Sequence, residues 1–371
     1  MNQLKFSCPC HFGLESVLSF EVKKIGGTDV SVSDGKVNFH GDFDTLAKAN
    51  ICLSTAERVL IVLAEFRATS FEELFQGVKA IQLENFVGIN DAFPVKGYSL
   101  NSQLHSVPDC QSIIKKACVE RLKSKYNISW FEETGSLIQI QFSIHKDEVT
   151  IFLDTTGAGL HKRGYRKTSN DAPIKETLAA GIVDLARIRQ DSIVCDPFCG
   201  SGTILIESTF KALNIAPGLR RKFSAESWDC IPSEVWGNAR KEALSNVNKS
   251  GSFKAFGYDI DDFAVDLSLE NAKKAGVISK ISVENANVND YTPQENAITI
   301  CNPPYGERLL EIKQAEQLYK IMGQVFNPSA KNPCYIISPH EEFESFFGKK
   351  ADKRRKLYNG MIKCQLFMYF K

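Results

Sequence analysis

The sequence predicts an α/β protein in which a doubly wound, mostly parallel sheet occupies the C-terminal half and two smaller α/β units precede it. Three observations predict this. Strand and helix signals alternate from residue 173 to 338, the pattern of parallel strands joined by crossover helices. The first 66 residues read βαββαβ, a ferredoxin-like order. A chain of 371 residues also exceeds the usual single-core size, so two or three domains are expected.

The elements follow in order. Leu4 to Cys8 reads as a strand, and Phe12 to Ile25 as an amphipathic helix stopped by Gly26-Gly27. Thr28 to Val32 and Lys36 to His40 flank the hairpin signal Ser33-Asp34-Gly35. Asp42 can cap a helix to about Leu53, and the β-rich run Val59 to Phe66 closes the unit. Ser70 can cap a second-unit helix carrying Phe71, Leu74, Phe75 and Val78, followed by a strand at Val95 to Leu100. A helix from about Asp109 to Tyr126 turns Ile113, Ile114, Ala117, Val119 and Leu122 inward and Lys115, Lys116, Arg121, Lys123 and Lys125 largely outward. Strands Leu137 to Ile144 and Val149 to Asp154 then meet across a four-residue turn.

Thr155 to Ser169 breaks periodicity with glycines, while His161, Lys162, Arg163, Arg166 and Lys167 crowd around Tyr165. Basic residues interleaved with an aromatic suit a phosphate backbone and a stacked base, although a plain interdomain linker and a solvated helix face are the bland alternatives for the two basic segments. The resulting division is 1–66, 67–155, a basic linker 156–172, and 173–371. Within the last, Pro217 to Trp236 reads as a helical insertion with its own Trp228 and Trp236, and Asn359-Gly360 marks a terminal hairpin.

Composition narrows the classes of function. Hydrophobic residues at 43% and charged residues at 24% exclude a disordered or fibrous chain. A net charge of +1 excludes a uniformly basic surface, so any nucleic-acid contact comes from local patches. Eleven scattered cysteines without a Cys-x-x-Cys pair predict reduced thiols in the cytoplasm and no zinc site. Neither a signal peptide nor a membrane span is expected, since no window nears about 18 apolar residues.

Three motifs carry chemistry, each directly after a strand. In Asp196-Pro197-Phe198-Cys199-Gly200-Ser201-Gly202-Thr203, two glycines let the backbone approach a ligand at a helix N-terminus, and Asp196 offers a carboxylate. Leu205 stands where a dinucleotide fingerprint wants its third glycine, and no P-loop Lys follows, so a cofactor with a charged amino-acid tail fits better. In Gly257-Tyr258-Asp259-Ile260-Asp261, Asp259 can bind both ribose hydroxyls and Ile260 can cover an adenine face, while Asp261 and Asp262 suit helix capping. In Asn302-Pro303-Pro304-Tyr305, the Asn302 side-chain carbonyl and the Pro303 backbone carbonyl can accept both N–H bonds of an exocyclic amine stacked on Tyr305. Such an arrangement aims a nitrogen lone pair at an electrophilic methyl group by orientation and electrostatics, without a strong base.

With Asn302-Pro303-Pro304-Tyr305-Gly306-Glu307-Arg308-Leu309, these motifs resemble the class I, S-adenosylmethionine-dependent amino-methyltransferases. More narrowly, essentially the whole chain resembles a bacterial THUMP-domain group long labelled N6-adenine-specific DNA methylases and related to the large-subunit ribosomal RNA guanine-N2 methyltransferase L. Leu160 to Arg166 and Ala172 to Ala180 also match that group's pattern. The resemblance implies a Rossmann-like methyltransferase sheet behind ferredoxin-like and THUMP modules. S-adenosylmethionine would be the cofactor, S-adenosylhomocysteine the product, and no metal would be needed. It places Asp196, Gly200 and Gly202 around the methionine moiety, Asp259 at the ribose, Phe198, Thr203 and Ile260 among the further cofactor-binding residues, and Asn302, Pro303, Pro304 and Tyr305 at the target. At the cofactor adenine, where relatives often carry an acid, this chain has Asn287 or Asp290.

The expected reaction is N2-methylation of a guanine in ribosomal RNA, with ribosomal RNA or an assembly intermediate as partner and no membrane or obligate protein partner. Lys115, Lys116, Arg121, Lys123, Lys125, Lys162, Arg163, Arg166 and Lys167 would contact RNA. An N6-adenine methyltransferase acting on DNA or RNA is the rival enzyme, and an RNA-binding module without catalysis the rival of another class.

Overall fold

The computed structural model describes residues 3–166, 174–306 and 309–371. Lys167, the end of the basic linker and the Glu307-Arg308 pair of the third motif lie outside the described residues.

The ferredoxin-like unit forms as β1 (Leu4–Pro9), α1 (Glu15–Lys24), β2 (Thr28–Ser33), β3 (Lys36–Gly41), α2 (Phe43–Cys52) and β4 (Leu60–Arg67). Asp42 caps α2 by accepting the Thr45 N–H at 2.9 Å. The second unit comprises α3 (Phe71–Lys79), β5 (Val95–Leu100), α4 (Val107–Tyr126), β6 (Ile140–His145) and β7 (Glu148–Asp154). Ser70 and Glu73 close a capping box on α3. Lys146 and Asp147, both at positive φ, join β6 to β7 as a two-residue turn.

The two units share one seven-stranded sheet, in the order β2-β3-β1-β4-β7-β6-β5. Antiparallel pairing of β4 with β7, from Leu60 opposite Asp154 to Arg67 opposite Glu148, covers two edges that would otherwise be exposed.

The second sheet begins after α5 (Glu176–Leu185) and contains β8 (Ile193–Asp196), α6 (Thr203–Leu213), α7 (Ser233–Ser245), β9 (Lys254–Asp259), α8 (Asp262–Ala275), β10 (Ile281–Asn285), β11 (Ala297–Cys301), α9 (Leu309–Val325), β12 (Cys334–Ser338), α10 (Phe343–Phe347), β13 (Lys353–Asn359) and β14 (Ile362–Tyr369). Its order is β10-β9-β8-β11-β12-β14-β13, parallel from β10 to β12, with β14 antiparallel to β12. Chain direction across the sheet reverses at β8, so the carboxyl ends of β8, β9 and β11 border one crevice.

Trp228 and Trp236 of the insertion both join the core of the first sheet, and Trp228 Nε1 donates to the Leu137 carbonyl at 3.0 Å. The insertion therefore straps the C-terminal half to the N-terminal half. One expectation changes. In the terminal hairpin Asn359 pairs with Ile362, so the loop residues are Gly360, at φ 62°, and Met361. Glycine at the first loop position gives the second of the two favoured hairpin turns and leaves the Asn359 side chain outside the turn.

The halves meet through buried contacts. A methyl group on Gly181 of α5 would lie 2.3 Å from Leu14 Cδ1 beside α1, so the absence of a side chain there makes room for Leu14. Arg163 and Tyr165 converge on Glu207 of α6, at 3.4 and 3.1 Å, with both Arg163 and Glu207 buried.

Candidate active site

Asp196 ends β8, which is flanked by strands on both sides, and the residue is 1% exposed. Burial, with the nearby Asp259 charge, pushes its carboxyl up to about 8 against the Phe198 N–H bond that favours ionisation. Gly200 and Gly202 both take positive φ, 52° and 75°, as the turn into α6 requires. A methyl group on Gly202 would press on Ser268, whereas one on Gly200 would meet nothing within 4 Å, so the Gly200 backbone borders open space.

The loop is pinned from α8. Ser268 Oγ donates to the Gly200 carbonyl at 2.7 Å, and Asn271 Nδ2 donates to the Ser201 carbonyl at 3.0 Å. Sequence reasoning missed both; the signal was two polar residues one turn apart on the inward face of an amphipathic helix. The Gly200 N–H donates to Asp259 Oδ2 at 2.9 Å, joining the first two motifs.

A cavity of about 1180 Å³ opens over these strand ends. Its wall includes Phe198, Asp259, Ile260, Asn287 and the run Asn302, Pro303, Pro304 and Tyr305. It can take a nucleoside cofactor together with a base. Asp196, Gly200, Gly202 and Thr203 are not part of that wall, and the Thr203 hydroxyl is bonded to Ser201 and Arg166. Asp290 lines only a smaller adjoining pocket, which Asn287 also lines. Asn287 Oδ1 accepts from the Asn289 backbone at 2.9 Å and its side chain at 2.8 Å, which fixes the loop at the cavity edge. Asp261 caps α8 through the Phe263 N–H at 3.0 Å, as expected.

Asn302 follows β11, adjacent to β8 in the sheet. Its Oδ1 is buried and has no hydrogen-bond partner among the described residues. Leaving a buried acceptor unpaired costs about 1–3 kcal/mol, which a donor from a ligand would recover. Pro303 is buried, and the Tyr305 hydroxyl accepts a bond from Asn359 Nδ2 at 2.8 Å.

The basic residues divide. Lys115 bonds Glu133 at 2.6 Å and lies over the Phe93 ring, Arg121 holds Glu84, and Lys125 joins the same carboxylate at 3.3 Å. Lys116 and Lys123 make no ion pair with the described residues, and Lys162 is exposed. Arg163 is buried, bonded to Glu207 and to the carbonyls of Leu160 and Ser54, so it cannot meet a phosphate. Arg166 is largely spent on Thr203, the Ile174 carbonyl and Glu176. Their positive charge reads as a surface feature in sequence, but buried carboxylates on α5 and α6 claim it. No helix of the described residues is long and apolar enough to cross a membrane, and none of their His, Cys, Asp and Glu side chains form a group of three fit for a metal ion.

Comparison with known proteins agrees with this geometry. The family description "RMKL-like, methyltransferase domain" matches 163–367, "RlmL ferredoxin-like domain" matches 5–60 and "THUMP domain" matches 68–154. YpsC of Bacillus subtilis (strain 168), provisionally named an RNA methyltransferase, is 45% identical over 96% of this chain and 94% of its own length. The ribosomal RNA large subunit methyltransferase K/L of Psychromonas ingrahamii is 31% identical over 99% of this chain, which spans about half (50%) of that longer protein. SMU.472, provisionally named a methyltransferase and solved in complex with SAH, superposes with a TM-score of 0.94 at 38% identity, covering 100% of this chain and 98% of its own. With a family match over more than half its length, this chain belongs to the UPF0020 methyltransferase family, carrying its RMKL-like catalytic domain behind RlmL-type ferredoxin-like and THUMP domains.

Proposed function

We propose that this protein transfers a methyl group from S-adenosylmethionine to the exocyclic N2 amine of a guanine in ribosomal RNA, most specifically 23S rRNA. The observation that carries the reading is the buried, unpaired Asn302 Oδ1 in a loop beside the cofactor strand. An acceptor without a donor is what an amine-binding site presents before its substrate arrives.

The cofactor is S-adenosylmethionine, and when bound it supplies the electrophilic methyl group. The residues present fit it: a neutral, buried Asp196 beside Asp259 becomes a favourable carboxylate when a cationic amino-acid tail comes near. Asp259 would hold the ribose hydroxyls with the lone pairs left free by the Gly200 and Asp261 N–H groups, Ile260 would cover the adenine, and Asn287 would border its amino edge. Asn302 Oδ1 and the Pro303 carbonyl would accept the two N–H bonds of the target amine, raising electron density on the nitrogen and aiming its lone pair. Tyr305 would stack the base. The proton released after transfer needs only solvent, so these residues act by orientation.

An adenine N6 amine offers the same two donors. The guanine and RNA assignments rest on the N-terminal half: the THUMP domain, and relatives named ribosomal RNA methyltransferases that share it. A base inside folded RNA must be extruded at a cost of a few kcal/mol, which an RNA-gripping platform could offset. Labelled methyl groups should enter protein-free ribosomal RNA or an assembly intermediate and be recovered as N2-methylguanosine. Label found as N6-methyladenine in duplex DNA, with none in RNA, would refute the reading.

A further inference from the structure

We propose that Asn359, at the tip of the terminal hairpin, is a positioning residue for Tyr305, and that the hairpin thereby sets the plane on which the target base stacks. The inference rests on the reading of Asn302 to Tyr305 as the loop that holds the amine.

Three observations carry it. Asn359 Nδ2 donates to the Tyr305 hydroxyl at 2.8 Å, from the far end of the sheet to the rim of the large cavity. Ile362, the cross-strand partner of Asn359, is itself part of the cavity wall, so the hairpin tip belongs to the site and not merely to its surroundings. The strand behind that tip is held from the other side by the ferredoxin-like unit. Arg355 donates to Ser16 Oγ at 3.2 Å, Phe12 meets Tyr358 edge-on at 5.9 Å, and a methyl group on Gly13 would lie 2.3 Å from the Lys356 carbonyl.

The Asn359 amide is not required to form the hairpin. Its backbone stays in the ladder opposite Ile362, and the reversal is made by Gly360 and Met361. The amide therefore serves the hydroxyl it touches. The two prolines before Tyr305 stiffen the backbone that leads to it, and the bond at the hydroxyl restrains the ring at the end farthest from the chain. A base stacked on a fixed ring presents its amine to Asn302 at one angle, and a misplacement of about 1 Å is enough to slow transfer sharply.

The test uses the whole 371-residue chain with protein-free ribosomal RNA from cells lacking this enzyme. Asn359→Ala should lower the single-turnover rate about fivefold, the worth of one neutral hydrogen bond, while affinity for S-adenosylhomocysteine and melting temperature hold steady. Tyr305→Phe should lower it by the same factor, and the double variant no further than either alone. Asn359→Asp, which can accept from the hydroxyl, should recover most of the rate. An Asn359→Ala protein at full rate, or losses that multiply in the double variant, would overturn the inference. Independently of any RNA, the [ζ-¹³C]tyrosine resonance that vanishes in Tyr305→Phe should move in Asn359→Ala, and an unmoved resonance would overturn the contact itself. Asn302→Ala separates the two levels. If it is inactive while Asn359→Ala is unimpaired, only the positioning role fails; if it remains fully active, the underlying amine-site reading fails, and the resonance still decides whether Asn359 holds Tyr305.

Discussion

The backbone N–H of Gly200 donates to Oδ2 of Asp259 at 2.9 Å, so the glycine loop after β8 and the acid that ends β9 form one hydrogen-bonded unit. The same carboxylate that would hold a ribose thus also holds the glycine loop proposed to border the methionine moiety. Asp259→Ala should weaken binding of S-adenosylmethionine by about 1.5–3 kcal/mol in calorimetry, as expected for lost charge-assisted bonds. Asp259→Asn keeps an acceptor for Gly200 and should lose less. Equal affinity in wild type and Asp259→Ala would remove the residue from the site.

In the proposed site, Asp196 should make cofactor binding proton-linked. Its carboxyl is raised to about 8 by burial and by Asp259, so in the free protein it is mostly protonated at pH 7. Pairing with a cation demands ionisation, and binding should then release a proton below about pH 8, with affinity rising as pH approaches that value. The sign for folding is opposite: a raised acid favours the native state below the ordinary carboxylate range and loses that advantage as pH climbs to about 8. Calorimetry at pH 7 in buffers of different ionisation enthalpy should show the released proton, and Asp196→Asn should abolish it.

Arg163 should prove structural. Replacing it with Met leaves Glu207, 2% exposed, as a buried carboxylate without its cation, which typically costs about 3–5 kcal/mol. The double change Arg163→Met with Glu207→Gln should regain most of the loss in a denaturant titration. A single variant as stable as wild type would show that the pair does not hold the two halves together.

On α4, accessibility and ion pairing separate residues that look equivalent in sequence. Reversing Lys116 and Lys123 should weaken RNA binding and flatten its salt dependence by about one unit of slope per lost phosphate contact, with no change in melting temperature. Reversing Arg121 sets a negative charge against Glu84, whose carboxyl Arg121 holds down to about 2, and should lower the melting temperature by about 2–4 °C. RNA binding indifferent to the reversal of Lys116 and Lys123 would place the platform elsewhere.

What could be read from the sequence was local. The strand Val95–Leu100 agrees with the structure residue for residue, and Asp42 and Ser70 cap the helices that follow them, because capping signals act on the adjoining turn. Asp196, Asp259 and Asn302 could be placed at strand ends because motifs follow strands directly. Long-range choices were not legible. The pairing of β4 with β7 joins strands whose patterns each suit either an edge or an interior position. Arg163 looked like a surface cation because its partner lies 44 residues away on another element. Asn359 looked like a turn residue, since Asn-Gly and Gly-Met registers differ by a single position.

The central claim is that Asn302 orients a guanine amine of ribosomal RNA for methylation. Nucleoside mass spectrometry of ribosomal RNA from cells lacking this gene tests it most directly. The account predicts the loss of one N2-methylguanosine, restored by the wild-type gene and not by Asn302→Ala; an unchanged N2-methylguanosine content, or a loss confined to N6-methyladenine, would contradict it.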